Sequence, residues 1–202
     1  MTLPVRDGVW PPQEDLRTVA AEYYHGVQDL ATKLMRLFAL ALDLDEHYFD
    51  KLVDEPYTTL RLLNYPPHPD GLQTRNAPHT DYGTLTLLWS PDSRGLQAQT
   101  RQGEWIDVIG PADAIIVNIG DLMMNWTNDS WVSTLHRVVP VPGQTERFSV
   151  PFFHNPNPTA MIECIPSCLK EGERPKYEPL LAKTHLENKV SQALGQQETM
   201  ES

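Results

Sequence analysis

The chain has 202 residues and a formal net charge of −11, from 16 basic and 27 acidic side chains. This acidic balance opposes binding to nucleic acid or to an anionic membrane surface, because both require a basic protein face. Apolar residues make up 40% of the chain, which is enough for the core of one domain and too many for a wholly disordered protein.

The N-terminal part of the chain predicts helices. Over residues 16–43, apolar side chains recur every three or four positions, which is the spacing of one helix face. A second, short helix is expected over residues 46–52, capped by Asp45. The stretch before the first helix lacks the apolar segment of a signal peptide, and no run of about 18 apolar residues could span a membrane.

Beyond Pro56 the pattern changes to short apolar runs separated by Gly, Pro, Asn and Asp, which is typical of strands. Seven such runs favour a β-sandwich or jelly roll, and they cover residues 58–65, 84–89, 105–108, 114–118, 135–139, 147–153 and 160–164. One helical turn is expected at residues 122–126, and a last helix at 180–194. We therefore predict a helical flank (1–55), a β core (56–180) and a C-terminal helix with a frayed tail (181–202).

Cys164 and Cys168 are too few for a disulfide framework and are expected to be free thiols of a reducing compartment. Together with the missing signal peptide, they predict a cytoplasmic protein. The expected partner is a small-molecule substrate, with no nucleic acid and no membrane.

The triplet His79-Thr80-Asp81 is the first motif that indicates chemistry. On extended backbone, residues i and i+2 point to one face, so His79 and Asp81 can bind one metal ion together. His136, in the β-branched run STLHRVV, is the best third ligand. Two histidines and one carboxylate on one face of Fe(II) leave positions open for a chelating co-substrate and O₂. Each residue alone is weak evidence, since a histidine in an apolar strand is more often a packed core residue.

Arg147 and Ser149 form a second pair at the same i, i+2 spacing, in the strand RFSVPFF. Arginine binds a carboxylate through two parallel hydrogen bonds, and burying it without an anionic partner is costly. Tyr65 is a candidate second donor to the same carboxylate. The alternative is a structural arginine paired with an internal Asp or Glu.

Taken together, these motifs resemble the isopenicillin N synthase-like family of Fe(II)/2-oxoglutarate-dependent dioxygenases. The blocks that carry the resemblance occur in the family's order from about Trp10 to Tyr177, and they are RLLNYPP, NAPHTDYGTLTLLW, IIVNIGDLMMNWTND, STLHRVV and RFSVPFFHNPNP. The joint pattern of H-x-D, a later histidine and R-x-S is more specific than any of its parts.

The resemblance implies a fold, a reaction and residue roles. The fold is mainly β with N-terminal helices, a double-stranded β-helix or distorted jelly roll. The reaction is oxidation of a small organic molecule by hydroxylation, desaturation or cyclisation, coupled to decarboxylation of 2-oxoglutarate to succinate. The metal ligands are His79, Asp81 and His136, and the residues that bind the 2-oxoglutarate carboxylate are Arg147, Ser149 and Tyr65. Asn64 and Leu87 are further candidates to face the co-substrate, whereas His68, His154 and His185 are expected at the surface or behind the ligands.

Family members carry a further N-terminal segment that flanks the core, so the resemblance predicts that the β-helix of this chain is incomplete at its N-terminus. An exposed sheet edge there would favour self-association. Two alternatives stay open at the level of sequence. One is an oxidase of the same fold that does not use 2-oxoglutarate, and the other is a truncated, non-catalytic metal-binding domain.

Overall fold

A computed structural model describes residues 15–66, 74–143 and 146–200, with the backbone alone over 193–200. Its helices are α1 (Leu16–Ala41), α2 (Asp121–Trp126) and α3 (Ala182–Met200), with short 3₁₀ turns at Asp50–Leu52 and Pro166–Cys168. Its strands are β1 (Thr59–Leu60), β2 (Leu63–Tyr65), β3 (Asn76–His79), β4 (Leu85–Trp89), β5 (Leu96–Gln99), β6 (Trp105–Asp107), β7 (Ile115–Ile119), β8 (His136–Val138), β9 (Arg147–His154), β10 (Met161–Ile162) and β11 (Leu180–Leu181). None of the helices within these ranges is long and apolar enough to cross a membrane.

Helix α1 forms where the sequence predicts it and covers one face of the larger sheet. Its buried residues are Val27, Ala31, Met35 and Ala39, spaced four apart on one face. Tyr24 of the same helix meets Phe152 of β9 edge to face. The second predicted helix, at 46–52, is wrong. That segment forms turns and one 3₁₀ turn, although Asp45 does accept the His47 N–H as a cap would.

The larger sheet is antiparallel, with strand order β1-β9-β4-β7, and β2 pairs with another part of β9. Successive side chains on these strands point to opposite faces. On β4, Leu85 and Leu87 enter the core beneath α1, whereas Thr86 and Leu88 line a cavity on the other face. The larger sheet therefore has one structural face and one face available for a site.

A second antiparallel sheet, with strand order β3-β8-β5-β6, supplies the other side of the cavity. A third, two-stranded sheet joins β10 to β11. The arrangement is mostly β-sheet with few helices and is a double-stranded β-helix (jelly roll), which confirms the predicted fold class. The predicted division at residues 55 and 180 stays a prediction.

The strands differ from the prediction at several positions. The run predicted as one strand over 58–65 is two strands, because β1 and β2 pair with different parts of β9. Strands β3, β5 and β11 were not predicted. The last helix continues to Met200, so the predicted frayed tail is wrong over its first part. Three predicted features lie outside the described residues, namely the start of the chain, His68 and the final two residues.

Candidate metal centre and co-substrate pocket

The three predicted metal ligands meet at one end of the smaller sheet. His79 ends β3, His136 begins β8, and the two residues are directly paired across the strands. Their rings lie 4.3 Å apart between centroids, and His136 Nε2 lies 3.8 Å from Asp81 Oδ1. One donor atom from each of the three residues lies within 4.8 Å of the others. Among the described residues, this is the one group of His, Cys, Asp and Glu side chains with such a spacing.

Backbone carbonyls determine which ring nitrogen of each histidine is free. Nδ1 of His79 lies 2.8 Å from the Ala77 carbonyl, and Nδ1 of His136 lies 3.0 Å from the Thr134 carbonyl. A carbonyl oxygen only accepts, so each Nδ1–H donates and the Nε2 lone pair stays free for a metal. Burial lowers the pKa of the His79 imidazole below its usual value, and the neighbouring His136 lowers it further. Both effects favour the neutral ring that a metal requires.

Asp81 is 4% exposed and is supported on both its carboxylate and its backbone. Its Oδ2 accepts a hydrogen bond of 3.3 Å from Asn118 Nδ2, which leaves Oδ1 facing His136. Its carbonyl accepts the N–H of Asp121 at 2.8 Å and the Ser133 hydroxyl at 3.4 Å. The carboxylate is therefore oriented before any ion binds.

Two glycines bring backbone close to backbone at this loop. A Cβ at Gly83 would collide with the Asn155 side chain and the His154 carbonyl. A Cβ at Gly120 would collide with the backbone of Gly83 itself. The segment that carries Asp81 is thus packed directly against the chain before α2, with no space for a side chain between them.

Arg147 and Ser149 lie on β9 and point into the cavity, as the i, i+2 spacing predicts. Each is 2% exposed. Tyr65 of β2 is paired with Arg147 across the strands, and its ring centroid lies 5.3 Å from the guanidinium carbon. Within the described part of the chain, Nε and Nη2 of Arg147 are buried without a hydrogen-bond partner. Burial also lowers the pKa of the Arg147 guanidinium.

Among the described residues no Asp or Glu pairs with these donors, which disfavours the structural alternative for Arg147. An unpaired buried N–H costs about 1–3 kcal/mol, so a native protein retains one only for a purpose such as ligand binding. The ligand that fits a guanidinium with two free N–H groups is a carboxylate or another planar anion.

One cavity contains both halves of the site. It is lined by all six predicted site residues, which are Tyr65, His79, Asp81, His136, Arg147 and Ser149. Apolar side chains complete its walls, among them Leu63, Leu88, Leu96, Val138 and Phe153. A bound anion at Arg147 would therefore share one mostly apolar space with an ion at the triad.

Asn64 and Leu87 do not face the co-substrate space. Each lies one residue away from a cavity-facing neighbour, and strand alternation turns it to the opposite face. Leu87 is fully buried in the core, and Asn64 is exposed and bonds Glu146. His154 is also fully buried, on the core face of β9, which corrects any surface placement for it.

Sequence reasoning missed Asn118, the residue that orients the Asp81 carboxylate. It is the one polar side chain in the strand IIVNI, and that departure from an apolar pattern is the signal that could have identified it. It also missed Lys189 of α3, which pairs with Asp121 at 2.8 Å, and no local pattern indicates that pair.

Comparison with known proteins agrees with this geometry. Residues 57–156 match the family model of the 2OG-Fe(II) oxygenase superfamily. The 2-oxoglutarate-Fe(II) type oxidoreductase hxnY of Emericella nidulans is 38% identical over 193 residues, which cover 93% of this chain and 55% of that protein. The 2-oxoglutarate-dependent dioxygenase citB of Monascus ruber is 38% identical over 160 residues, covering 73% of this chain and 48% of that protein.

Solved structures give the same result. A full-length Neurospora crassa protein in complex with alpha-KG superposes with a TM-score of 0.85 and 33% identity, covering 93% of this chain and 62% of that one. The same protein with alpha-KG and thymine gives a TM-score of 0.85 and 34% identity, covering 91% and 60%. The chain spans about half the length of the curated relatives it matches. On these matches, its fold and its site, the chain belongs to the 2OG-Fe(II) oxygenase superfamily.

Proposed function

We propose that this chain is an Fe(II)- and 2-oxoglutarate-dependent dioxygenase that oxidises a small organic molecule. The observation that carries the proposal is the shared cavity, in which a two-histidine, one-carboxylate triad and an unpaired, buried arginine face the same space. Neither half alone specifies the co-substrate. Together they match a molecule with a metal-chelating end and a distal carboxylate.

The residues present fit both Fe(II) and 2-oxoglutarate. Two neutral imidazoles and one carboxylate are the donor set of non-haem Fe(II) sites with open positions. The structure supports this set with a free Nε2 on His79 and on His136 and with Oδ1 of Asp81 facing His136. We therefore assign Fe(II) binding to these three residues. Bound iron with 2-oxoglutarate and O₂ supplies the oxidising power for attack on an unactivated C–H bond, with release of succinate and CO₂.

The remaining roles belong to side chains of this chain. Arg147 donates its free N–H groups to the distal carboxylate of 2-oxoglutarate, and the Ser149 hydroxyl donates beside it. Tyr65, whose ring lies against the Arg147 guanidinium, holds that side chain in place and presents a further donor. Leu88 and Val138 line the space between Arg147 and the metal ligands and keep water out of it. The low effective dielectric there strengthens each charged contact.

The substrate is proposed to be a small molecule that enters beside the triad. The Neurospora crassa neighbour has been crystallised with thymine, a small planar molecule. Hydroxylation, desaturation and cyclisation all begin with removal of a hydrogen atom from the substrate, and one set of site residues serves all three. A panel of small heterocycles, assayed by succinate release, is the direct test.

An anaerobic titration with Fe(II) and then 2-oxoglutarate tests the proposed cofactors. We expect a weak visible charge-transfer band that saturates at one equivalent of each. Bound iron without a band would support the oxidase alternative, and no bound iron would support the non-catalytic one. Ser149→Ala removes one hydroxyl donor beside Arg147. We expect this variant to weaken the binding of 2-oxoglutarate without changing the binding of iron.

The thiols of Cys164 and Cys168 are free, which supports a reducing compartment, and we propose the cytoplasm. Subcellular fractionation tests this location.

Partner binding is proposed to be limited to small molecules and to a second copy of the chain. Strand β7 supports self-association, because it ends the order of the larger sheet and leaves Val117 41% exposed. Light scattering of Val117→Lys beside the wild-type chain measures it.

A further inference from the structure

Helix α3 packs against the rear of the loop that carries the metal ligands. Its Lys189 places Nζ 2.8 Å from Oδ2 of Asp121. The Asp121 side chain is 5% exposed and the Lys189 side chain 33%, so the carboxylate is almost removed from water while its partner reaches the surface. A buried carboxylate depends strongly on such a partner, because an uncompensated charge in the interior is costly.

Asp121 connects this ion pair to the metal centre. Its backbone N–H donates to the Asp81 carbonyl at 2.8 Å, and its Oδ2 accepts the Thr80 hydroxyl at 3.3 Å. Thr80 stands between the two ligands of the H-x-D triplet. Asp121 therefore contacts both the backbone of Asp81 and the side chain of Thr80, which stands between the ligands.

A second set of contacts joins α3 to the same loop. Nζ of Lys189 lies 5.7 Å from the centroid of the Tyr82 ring, and Tyr82 directly follows Asp81. The His185 ring, one turn earlier on α3, also lies near the backbone of Tyr82. The helix thus contacts the loop on both sides of Asp81, through Tyr82 directly and through Asp121 indirectly.

We propose that Lys189 is a positioning residue for the metal site, acting through Asp121. By neutralising the Asp121 carboxylate, Lys189 keeps the Asp121 side chain bonded to Thr80 and the Asp121 N–H bonded to the Asp81 carbonyl. These bonds hold the metal-binding atoms of His79 and Asp81 in position. This inference rests on the proposed iron site. Loss of the Lys189 charge leaves a buried carboxylate that must rotate toward water, which releases Thr80.

The test compares two lysines of one helix. Lys189→Met keeps the aliphatic stem over Tyr82 and removes the charge. Lys183→Met is the matched control, because Lys183 pairs with Glu187 at 3.7 Å with both side chains more than 60% exposed. Anaerobic calorimetry with Fe(II) alone, with Mn(II) as a redox-stable check, measures affinity, and circular dichroism confirms folding. We expect Lys189→Met to lose about 10- to 100-fold in metal affinity, whereas Lys183→Met stays at the wild-type value.

Two further variants separate positioning from general destabilisation. In an Asp121→Asn background, Lys189→Met should cause no further loss, because its route to the metal is already interrupted. Lys189→Arg keeps the charge and should lose less affinity than Lys189→Met. Equal affinity of Lys189→Met and wild type would overturn the proposal, as would additive losses in the double variant or a Lys189→Arg loss as large as that of Lys189→Met. A wild-type chain that binds no iron would instead overturn the proposed function itself.

Discussion

Replacing Arg147 by methionine separates the contribution of its guanidinium to binding from its contribution to stability. The side chain is 2% exposed, and Nε and Nη2 have no partner among the described residues. A charge-assisted bidentate contact is worth about 2–5 kcal/mol on truncation. At about 1.4 kcal/mol for each factor of ten, Arg147→Met should weaken 2-oxoglutarate roughly 30- to 4,000-fold. Fe(II) affinity should change little, because Arg147 is not a ligand.

The same variant makes an unusual prediction for the ligand-free protein. Removing an unpaired buried donor relieves a cost of about 1–3 kcal/mol, so Arg147→Met without ligand should be at least as stable as the wild type. Arg36→Met is the control, since the Arg36 guanidinium donates two hydrogen bonds to Asp50, at 3.1 and 2.9 Å. That variant should lose stability and keep 2-oxoglutarate binding.

Thermal unfolding with and without 2-oxoglutarate, in the presence of Mn(II), reports both effects. At a ligand concentration of about 100 times Kd, binding adds about 2.7 kcal/mol. For a chain of this size that is a rise of about 5–10 °C in Tm. We expect the full rise in the wild type and in Arg36→Met, and at most about 3 °C in Arg147→Met. A full rise in Arg147→Met would place the carboxylate clamp elsewhere, and a lower ligand-free Tm would refute the reasoning from the unpaired donors.

Three other changes test the rest of the site. His136→Ala should abolish stoichiometric Fe(II) binding in calorimetry while His25→Ala, on the exposed side of α1, does not; tight binding by both would reject the triad. Burial lowers the pKa of His154 to about 4. Below about pH 6.5 the unfolded chain therefore binds a proton that the folded chain does not. The free energy of unfolding should then be about 2 kcal/mol lower at pH 5 than at pH 7. Urea unfolding at pH 7 and pH 5 should show a weaker pH dependence in His154→Phe, and an unchanged dependence would contradict the assignment. Gly120→Ala should lower metal affinity and Tm through its backbone collision, whereas Gly26→Ala, with open space around it in α1, should raise stability by about 0.5–1 kcal/mol.

The sequence predicts the site better than it predicts the sheets. The period of two along a strand places His79 with Asp81 and Arg147 with Ser149, and the structure brings both pairs into one cavity. Strand β3 was missed because it contains Pro78 and polar residues, which are tolerated there since β3 lies at the edge of its sheet.

Other features depend on contacts between distant parts of the chain. Strand β5 alternates with glutamines, and Gln97 is satisfied by bonds to Asp107 and Arg137 on neighbouring strands. The Lys189–Asp121 pair likewise joins two helices through tertiary packing. No local propensity indicates such partners, so they become visible only when the strands and helices are assembled.

The alternation along β4 and β9 has a consequence for how this protein can change. Their side chains form two interleaved rows, one in the core beneath α1 and one in the cavity. Substitutions in the cavity row can therefore alter which molecule is accepted without loosening the core. Inserting or deleting a single residue between Arg147 and Phe152 would turn one side of the strand over, so that either Phe152 would point toward the cavity or Arg147 would point away from it. Diversification along these strands should proceed by replacement, and changes in length should be confined to the loops.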